Sequence, residues 1–424
     1  MYSLVLFEDA EVLQFRPLTE TRAVFDLRIG MESPASMILR AFGVTEWACW
    51  VRTSMIGVTR DTFPNMRVNE AIEGGVLLVN GRWLAEDMEV VARLKRAAHP
   101  SEAARVFTNG EDIVAAWLPH GISQTTLNQP LNLADLDDVL GSLPQESLGA
   151  VRMMSRLWHV LDDVPARITQ QIEATMPLWE AQNKDKPSAQ IHPSAVLIDA
   201  ERIYIAPSAK VRAGAILSAT DGPIYIDENA EIAEGAIIKG ACYIGAKTFV
   251  KMGARIFGSA FGAYCKVGGE INESILHSSS NKGHDGYLGN SYLGKWCNLG
   301  ADTNTSNLRN DYGMVKLYNM QKGRFELTTR QYLGTIMGDH SKCGINTMFN
   351  TGTVIGTFCN IFGSNYQENF VPSFSWGSPE GGYEAYRIEK ALHVAEAVMA
   401  RRDKVMTDAD RILLAEIAQD AREI

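Results

Sequence analysis

IYIDENAEIAEGAIIKGACYIGAKTFVKMGARIF, residues 224–257, places an apolar side chain at every sixth position: Ile226, Ile232, Ile238, Ile244, Val250 and Ile256. Four residues after each stands a small one, Ala230, Ala236, Cys242, Thr248 and Ala254. A chain with this period makes a short strand with one large side chain turned inward, then a corner where only a small inward side chain fits. Successive coils then stack into a prism. The pattern returns at Met337, Cys343, Phe349, Ile355 and Ile361, and a shorter run, Ile205, Val211 and Leu217, precedes it. A β-sandwich would show period two with turns every roughly 8–12 residues, which is absent here. Residues 191–365 are therefore predicted to form a parallel β-helix of hexapeptide repeats.

The register breaks between Gly262 and Gln331. Solenoids accept insertions on one face, often the binding face, so the break is where a site is expected. Upstream, AQNKDKPSAQ (181–190) is a polar linker, and residues 151–182 carry apolar positions at helical spacing, with Pro165 expected to end one helix and start another. Residues 151–190 are thus a helical arm and linker. Residues 1–150 alternate apolar runs (Leu4 to Phe7, Val76 to Val79) with a helical stretch, Ala85 to Ala98, an α/β pattern. Residues 366–424 form a tail whose amphipathic helices are expected to cap the open end of the solenoid.

The 424 residues are 46% apolar and 21% charged, an ordinary globular composition with room for several domains. No apolar stretch reaches the about 20 residues that span a bilayer, and MYSLVLFEDAEV lacks a basic leader, so membrane and secretory readings are set aside and a cytoplasmic location is expected. The six cysteines form no CxxC pair, which argues against disulfides and metal sites. A formal charge of -10 without a basic stripe argues against nucleic acid and leaves small anionic substrates open.

The densest chemistry is NKGHDGYLG (281–289) followed by KWCNLGADTNTSNLRNDYG (295–313). Acyl transfer to a sugar amine needs the ammonium deprotonated and donors aimed at the oxyanion of the tetrahedral intermediate. Histidine suits the first task near neutral pH, so His284 is the predicted base, with Asn298 and Asn307 orienting the substrate. A histidine buried for structural reasons is the plainer alternative, and its place inside the break weighs against that.

NKGHDGYLGNSYLG and CNLGADTNTSN resemble the acetyltransferase half of the bifunctional N-acetylglucosamine-1-phosphate uridylyltransferase and glucosamine-1-phosphate N-acetyltransferase family (GlmU). VKMGARIFG, CKVGGE and PSFSWG extend the likeness to a branch described as putative sugar nucleotidyltransferases. The resemblance implies a left-handed coil, a homotrimer and acetyl-CoA as donor. It makes His284 the base and Asn307 the catalytic asparagine. Tyr287, Asn298, Glu270, Arg255 and Lys282 become acceptor contacts, and Ala301, Leu308, Ile345 and Gly363 become backbone contacts to the cofactor. Asn272 stands where the family carries a phosphate-binding lysine, so Lys251, Arg255 or Lys282 is expected to supply that charge.

RPLTETRAVFDLRIG (16–30) is similar to the signature of sugar-phosphate nucleotidyltransferases without its Pro-Lys pair, and FEDAEVLQF replaces the Gly-rich phosphate loop. VLLVNGRWL (76–84) has Asn80-Gly81-Arg82 in place of the metal-binding Gly-Asp, so Mg²⁺ lacks its usual anchor. Arg16, Thr19, Arg22, Asn80 and Arg82 are the candidate contacts to UTP or dTTP; ion-paired structural arginines are the alternative. The overall expectation is a nucleotidyltransferase-like, Rossmann-like α/β domain followed by the β-helix and helical tail, acting on a sugar phosphate. Competing readings are a pyrophosphorylase alone, a zinc hydrase using His277, His284 and His340, and a non-catalytic sugar-nucleotide scaffold.

Overall fold

The computed structural model describes residues 2–122, 136, 139–183 and 189–421. In the N-terminal domain, β1 (Ser3–Phe7), β2 (Ala48–Trp50), β3 (Arg67–Val68), β4 (Val76–Asn80), β5 (Arg105–Asn109), β6 (Asp112–Leu118) and β7 (Gln145–Ser147) form one sheet. Its order is β3-β2-β1-β4-β6-β5-β7, parallel from β3 to β4. Every residue of β2 and β4 is buried, because helices α1 (Pro34–Phe42), α2 (Ile56–Thr62) and α3 (Met88–Ala97) leave little of the sheet facing water. The two runs expected as strands and the stretch expected as a helix are β1, β4 and α3.

The C-terminal half is a parallel β-helix. Three sheets run up the coil, and each carries an inward column. One column is Ile205, Ile226, Ile244, Phe261, Leu276, Leu293, Met337, Ile355 and Val371, paired rung on rung. The small positions Ala209, Ala215, Ala230, Ala236, Thr248 and Ala254 are buried at the corners. Fully burying a Val or Ile stabilises by about 1.5–3 kcal/mol, so these columns account for much of the fold's stability.

From Gly262 to Thr305 the break is not an interruption of the coil. Rungs continue through Val267, Ile271, Leu276, Lys282, Leu288 and Leu293, but the spacing drops to four between Val267 and Ile271 and to five between Ile271 and Leu276. Corners were shortened and the period slipped, while the stacking held. The true insertion is 306–334, whose hairpin pairs Lys316–Asn319 with Arg324–Leu327. It folds back over the outer face of the third sheet, where Tyr318 stacks on Phe370 with ring centroids 3.9 Å apart. Asn319 donates to Gln14 at 2.8 Å and Arg330 pairs with Asp162 at 3.0 Å. Helix α4 (Val164–Asn183), with Pro165 in its first turn, covers the same face through Ile168, Ile172 and Met176.

The coil runs past 365 to a last rung at Ser375–Ser378, which turns antiparallel into Gly382–Ala385 and closes the sheet edge. That hairpin, not the helical tail, caps the solenoid. Helices α5 (Ile388–Ala400) and α6 (Asp408–Asp420) bridge the coil and the N-terminal domain: Ala391, Ala395, Leu413, Leu414 and Ile417 share one core with Leu6, Leu77 and Val79 and with Phe358 and Phe374 of the coil, and Arg402 donates to Tyr264 O at 3.2 Å.

Candidate active site

His284 stands at the corner between Asn281–Lys282 and Tyr287–Gly289. It is exposed, and its ring nitrogens meet no hydrogen-bond partner among the described residues. Two glycines shape the corner. Gly286 has φ +106°, and a Cβ there would lie 2.3 Å from the Thr303 carbonyl oxygen of the next rung. Gly289 leaves the room in which Tyr287 Oη and Asn307 Nδ2 meet; a Cβ would sit 2.3 Å from the first and 2.7 Å from the second.

The rungs bring the predicted cofactor contacts into line with the base. Asn281 bridges Asn298, and Asn298 bridges Lys342, which pairs with Asn360. Three residues beyond these stand His284, Ala301, Ile345 and Gly363, one above another. The corners are laced by Asp302 N–H to Asp285 O at 3.0 Å and Asn346 N–H to Ala301 O at 2.8 Å. Ile345 is exposed. Gly363 is covered: the Glu380 carboxylate accepts from Ser364 N–H at 3.0 Å and Asn365 N–H at 2.9 Å. Leu308 is not in this column; it lies in the insertion, bridged to Tyr332.

Tyr287, Asn307, Asn290 and Glu273 form a chain beside the corner. Asn307 Nδ2 donates to Tyr287 Oη at 3.1 Å and to Asn290 Oδ1 at 2.6 Å, and Asn290 donates to Glu273 at 2.9 Å. With both amide hydrogens committed, Asn307 aims Tyr287 and offers no donor of its own to an oxyanion. Burial pushes the Tyr287 phenol up, against the hydrogen bonds of Asn272 and Asn307. Asn298 faces outward on the other side of the corner, where its Oδ1 accepts from Asn281 at 3.1 Å. Within one chain Tyr287 and Asn307 lie on the face after the His284 corner and Asn298 on the face before it.

The three candidates for the missing positive charge separate. Lys282 is buried inside the coil, in the column of Val250, Val267 and Cys343. Its Nζ donates to the carbonyls of Gly268 at 3.3 Å, Asp285 at 3.1 Å and His284. Burial pushes its ammonium down to about 8, against the pull of Asp285, Cys343 and Asp302. The expectation that Lys282 touches an acceptor is corrected: it holds the backbone of the His284 corner from within. Arg255 is exposed and paired with Glu270 at 3.1 Å. Lys251 makes no ion pair among the described residues. Nothing in the apolar period revealed that a lysine would stand inside the coil.

The N-terminal candidates are differently placed. In open α/β sheets ligands sit at the carboxyl ends of the strands, at the point where the order reverses. Here that point lies between β1 and β4, and it is filled by the chain itself. Arg82, fully buried, pairs with Asp9 at 2.6 Å and Asp112 at 2.6 Å, and donates to Met154 O at 2.6 Å. Asn80 donates to Asp9 at 2.7 Å. Arg22 is buried against Asp339, and the Thr19 hydroxyl is spent on Val12 O at 3.0 Å. Arg16 pairs with Glu20 at 3.6 Å and Asp420 of α6 at 3.7 Å. Between Arg16 and α6 a cleft of about 200 Å³ remains, short of the about 300 Å³ at which ligand pockets begin. Mg²⁺ does not fit the crevice, since Arg82 already engages both of its carboxylates, and no acid or His cluster able to hold a metal occurs among the described residues. The zinc reading, with ligands shared between subunits, is opposed by the placement of its histidines: His277 is buried with Nε2 2.9 Å from Asp26 O, His340 is buried in a stack on Phe358, and His284 is exposed. A larger cavity of about 900 Å³, lined by Trp47, Phe63 and Met66, opens at the amino ends of β1 and β4, the opposite edge.

Residues 4–176 match the sugar nucleotidyl transferase family. The chain is 39% identical over 92 residues to the bifunctional protein GlmU of Methanocaldococcus jannaschii, covering 22% of this chain and 22% of that protein. It is 34% identical over 93 residues to the bifunctional sugar-1-phosphate nucleotidylyltransferase/acetyltransferase of Sulfurisphaera tokodaii, covering 22% and 23%. The aligned stretches thus span little more than a fifth of these relatives. Among solved structures, a UDP-N-acetylglucosamine acyltransferase of Francisella novicida aligns with 54% of this chain and 90% of its own at 11% identity and a TM-score of 0.32.

Proposed function

We propose that the protein transfers the acetyl group of acetyl-CoA to the amine of an amino-sugar phosphate, glucosamine-1-phosphate or a close relative. The observation that carries this reading is the corner column of His284, Ala301, Ile345 and Gly363 beside the Tyr287–Asn307 pair. His284 takes a proton from the substrate ammonium, and the freed lone pair attacks the thioester carbonyl. The tetrahedral intermediate gives its second N–H proton to solvent and collapses with cleavage of the C–S bond, and the CoA sulfur leaves as the thiol after receiving the first proton from His284. Tyr287, held by Asn307 and Asn272, orients the sugar. Ala301 and Ile345 border the cofactor, and Gly363 joins them only when Glu380 moves aside. A homotrimer completes the site, because Asn298 faces away from Tyr287 within one chain.

The N-terminal domain, on this reading, is a structural partner whose ancestral crevice is closed by Arg82. A cytoplasmic location accords with six free cysteines, all buried. No helix among the described residues is long and apolar enough to cross a membrane. The test is free-thiol release on mixing the protein with acetyl-CoA and glucosamine-1-phosphate. Transfer that depends on His284 supports the reading; no transfer to any amino-sugar phosphate or nucleotide-linked amino sugar, or transfer unchanged in His284→Ala, overturns it.

A further inference from the structure

His284 lacks the usual means of holding a base in place. A catalytic imidazole is ordinarily aimed by a hydrogen bond to its second ring nitrogen, yet neither nitrogen of His284 has a partner among the described residues. Gly283 stands before it and Gly286 two residues after, and glycine is the residue least able to fix a backbone by itself. The direction of the ring therefore depends on what grips the backbone of residues 283–286.

The grip comes from inside the coil. In the column of Ile191, Val211, Ile232, Val250 and Val267 every inward residue is aliphatic until Lys282, and Cys343 and Ile361 resume the apolar run. A buried ammonium at such a position costs the fold stability that an apolar side chain would not. Its hydrogen bonds show what it does there. Nζ donates to His284 O, to Asp285 O at 3.1 Å and to Gly268 O of the previous rung at 3.3 Å. Asp285 O also accepts from Asp302 N–H at 3.0 Å, whereas the donor to His284 O is Lys282. On the previous rung Gly269 leaves the room this carbonyl needs: a Cβ there would lie 2.7 Å from His284 O and 2.7 Å from Gly286 O. The His284 carbonyl is thus seated between an inward ammonium and a glycine, while its side chain is exposed.

We propose that Lys282 is a positioning residue for acetyl transfer: by holding the carbonyls of His284 and Asp285 toward the inside of the coil it fixes the direction of the His284 imidazole, without touching substrate or cofactor. This rests on the acetyltransferase reading of the same corner. It accounts for a lysine in an otherwise apolar column, since a residue that breaks the local pattern at the expense of stability marks a functional constraint.

The experiment compares Lys282→Met with the unaltered full chain, in acetyl transfer from acetyl-CoA to glucosamine-1-phosphate and in amide hydrogen exchange followed peptide by peptide. Methionine fills the column with an apolar chain of similar length and offers no donor. The expected result is a kcat lowered by about tenfold or more, as misplacing a reacting group by about 1 Å does, with both KM values within about twofold. Exchange should quicken at residues 283–287 and stay unchanged in the rungs of Ile226 to Ile256. Gly269→Ala keeps the ammonium and displaces the same carbonyl from the previous rung; it should reproduce the loss of kcat, and it carries the test if Lys282→Met does not fold. An unchanged kcat in Lys282→Met overturns the proposal. So does a raised KM with kcat intact, which would return the ammonium to a ligand, and so does exchange that quickens equally through the whole coil, which would leave the lysine a structural role alone. The reaction fails separately: a chain that transfers no acetyl group, with exchange in Lys282→Met quickened only at 283–287, sinks the acetyltransferase reading and leaves the clamp standing. Transfer that Lys282→Met leaves untouched does the reverse.

Discussion

Two places in this chain are where a ligand is expected, and they treat their charged groups in opposite ways. At the β1–β4 crevice of the N-terminal sheet, Arg82 is buried and locked to Asp9 and Asp112, and α6 lies across the neighbouring edge near Arg16. At the His284 corner, the base and Lys251 have no internal partners among the described residues, and the polar groups beside them are aimed by Asn307 and Gly289. A site that binds small molecules keeps its polar groups available; a site turned to structural use satisfies them from within. On the proposed function, the difference means that the motif similarity over residues 4–176 reports the fold and not by itself its chemistry.

The largest effect that would break this comparison is catalytic. His284→Ala should lower acetyl transfer by about 10²–10⁴-fold with an unchanged circular-dichroism spectrum and melting temperature, as removal of a general base does. A His284→Ala protein that keeps full activity would place the chemistry elsewhere. Next, Arg82→Met leaves Asp9 and Asp112 without their cation and should destabilise the protein by about 3–5 kcal/mol in denaturant titrations, while folded molecules retain acetyl transfer. A stable Arg82→Met protein that has lost only nucleotide binding would show the crevice to be a working site.

Smaller changes sharpen the corner itself. Gly289→Ala forces Tyr287 and Asn307 apart and should cost about 1–3 kcal/mol of stability with a raised KM for the acceptor. Lys282 gives the finest signal. Its folded-state value of about 8 lies below its value of 10.5 in the unfolded chain, so between those values the unfolded chain binds more protons and stability rises with pH. Below about 8 the fold carries the full cost of a buried ammonium. Lys282→Met should flatten the pH dependence of the melting temperature in that window, and an unaltered slope would show that the ammonium is not inside the coil.

Much of the scaffold was legible in the sequence, because a coil that admits one inward side chain per strand imposes its period on composition. Ile226 through Ile256 fall on that period without exception. The stretch after Gly262 hid its regularity for two physical reasons: shortened corners shift the period by one or two residues, and Lys282 satisfies its charge on carbonyls at a position that otherwise takes an apolar residue such as Val, Ile or Cys. His284 was legible as a lone histidine in a glycine-rich motif, and the alignment of Ala301, Ile345 and Gly363 above it follows from the rungs. The tail was misread because an amphipathic helix announces that it has an apolar face and not which surface covers it; Leu413 and Ile417 found the helical side of the N-terminal domain near Met55. The arginines of residues 16–82 were ambiguous for the same kind of reason, since charge in a sequence does not show whether its partner is a phosphate or an aspartate.

The central claim, that the corner works and the crevice does not, is tested most directly by supplying one preparation of the full chain with both sets of substrates and following both products. With acetyl-CoA and glucosamine-1-phosphate the account predicts release of free thiol, abolished in His284→Ala. With UTP or dTTP, a sugar-1-phosphate and Mg²⁺ it predicts no release of pyrophosphate. Pyrophosphate released without any thiol would contradict it.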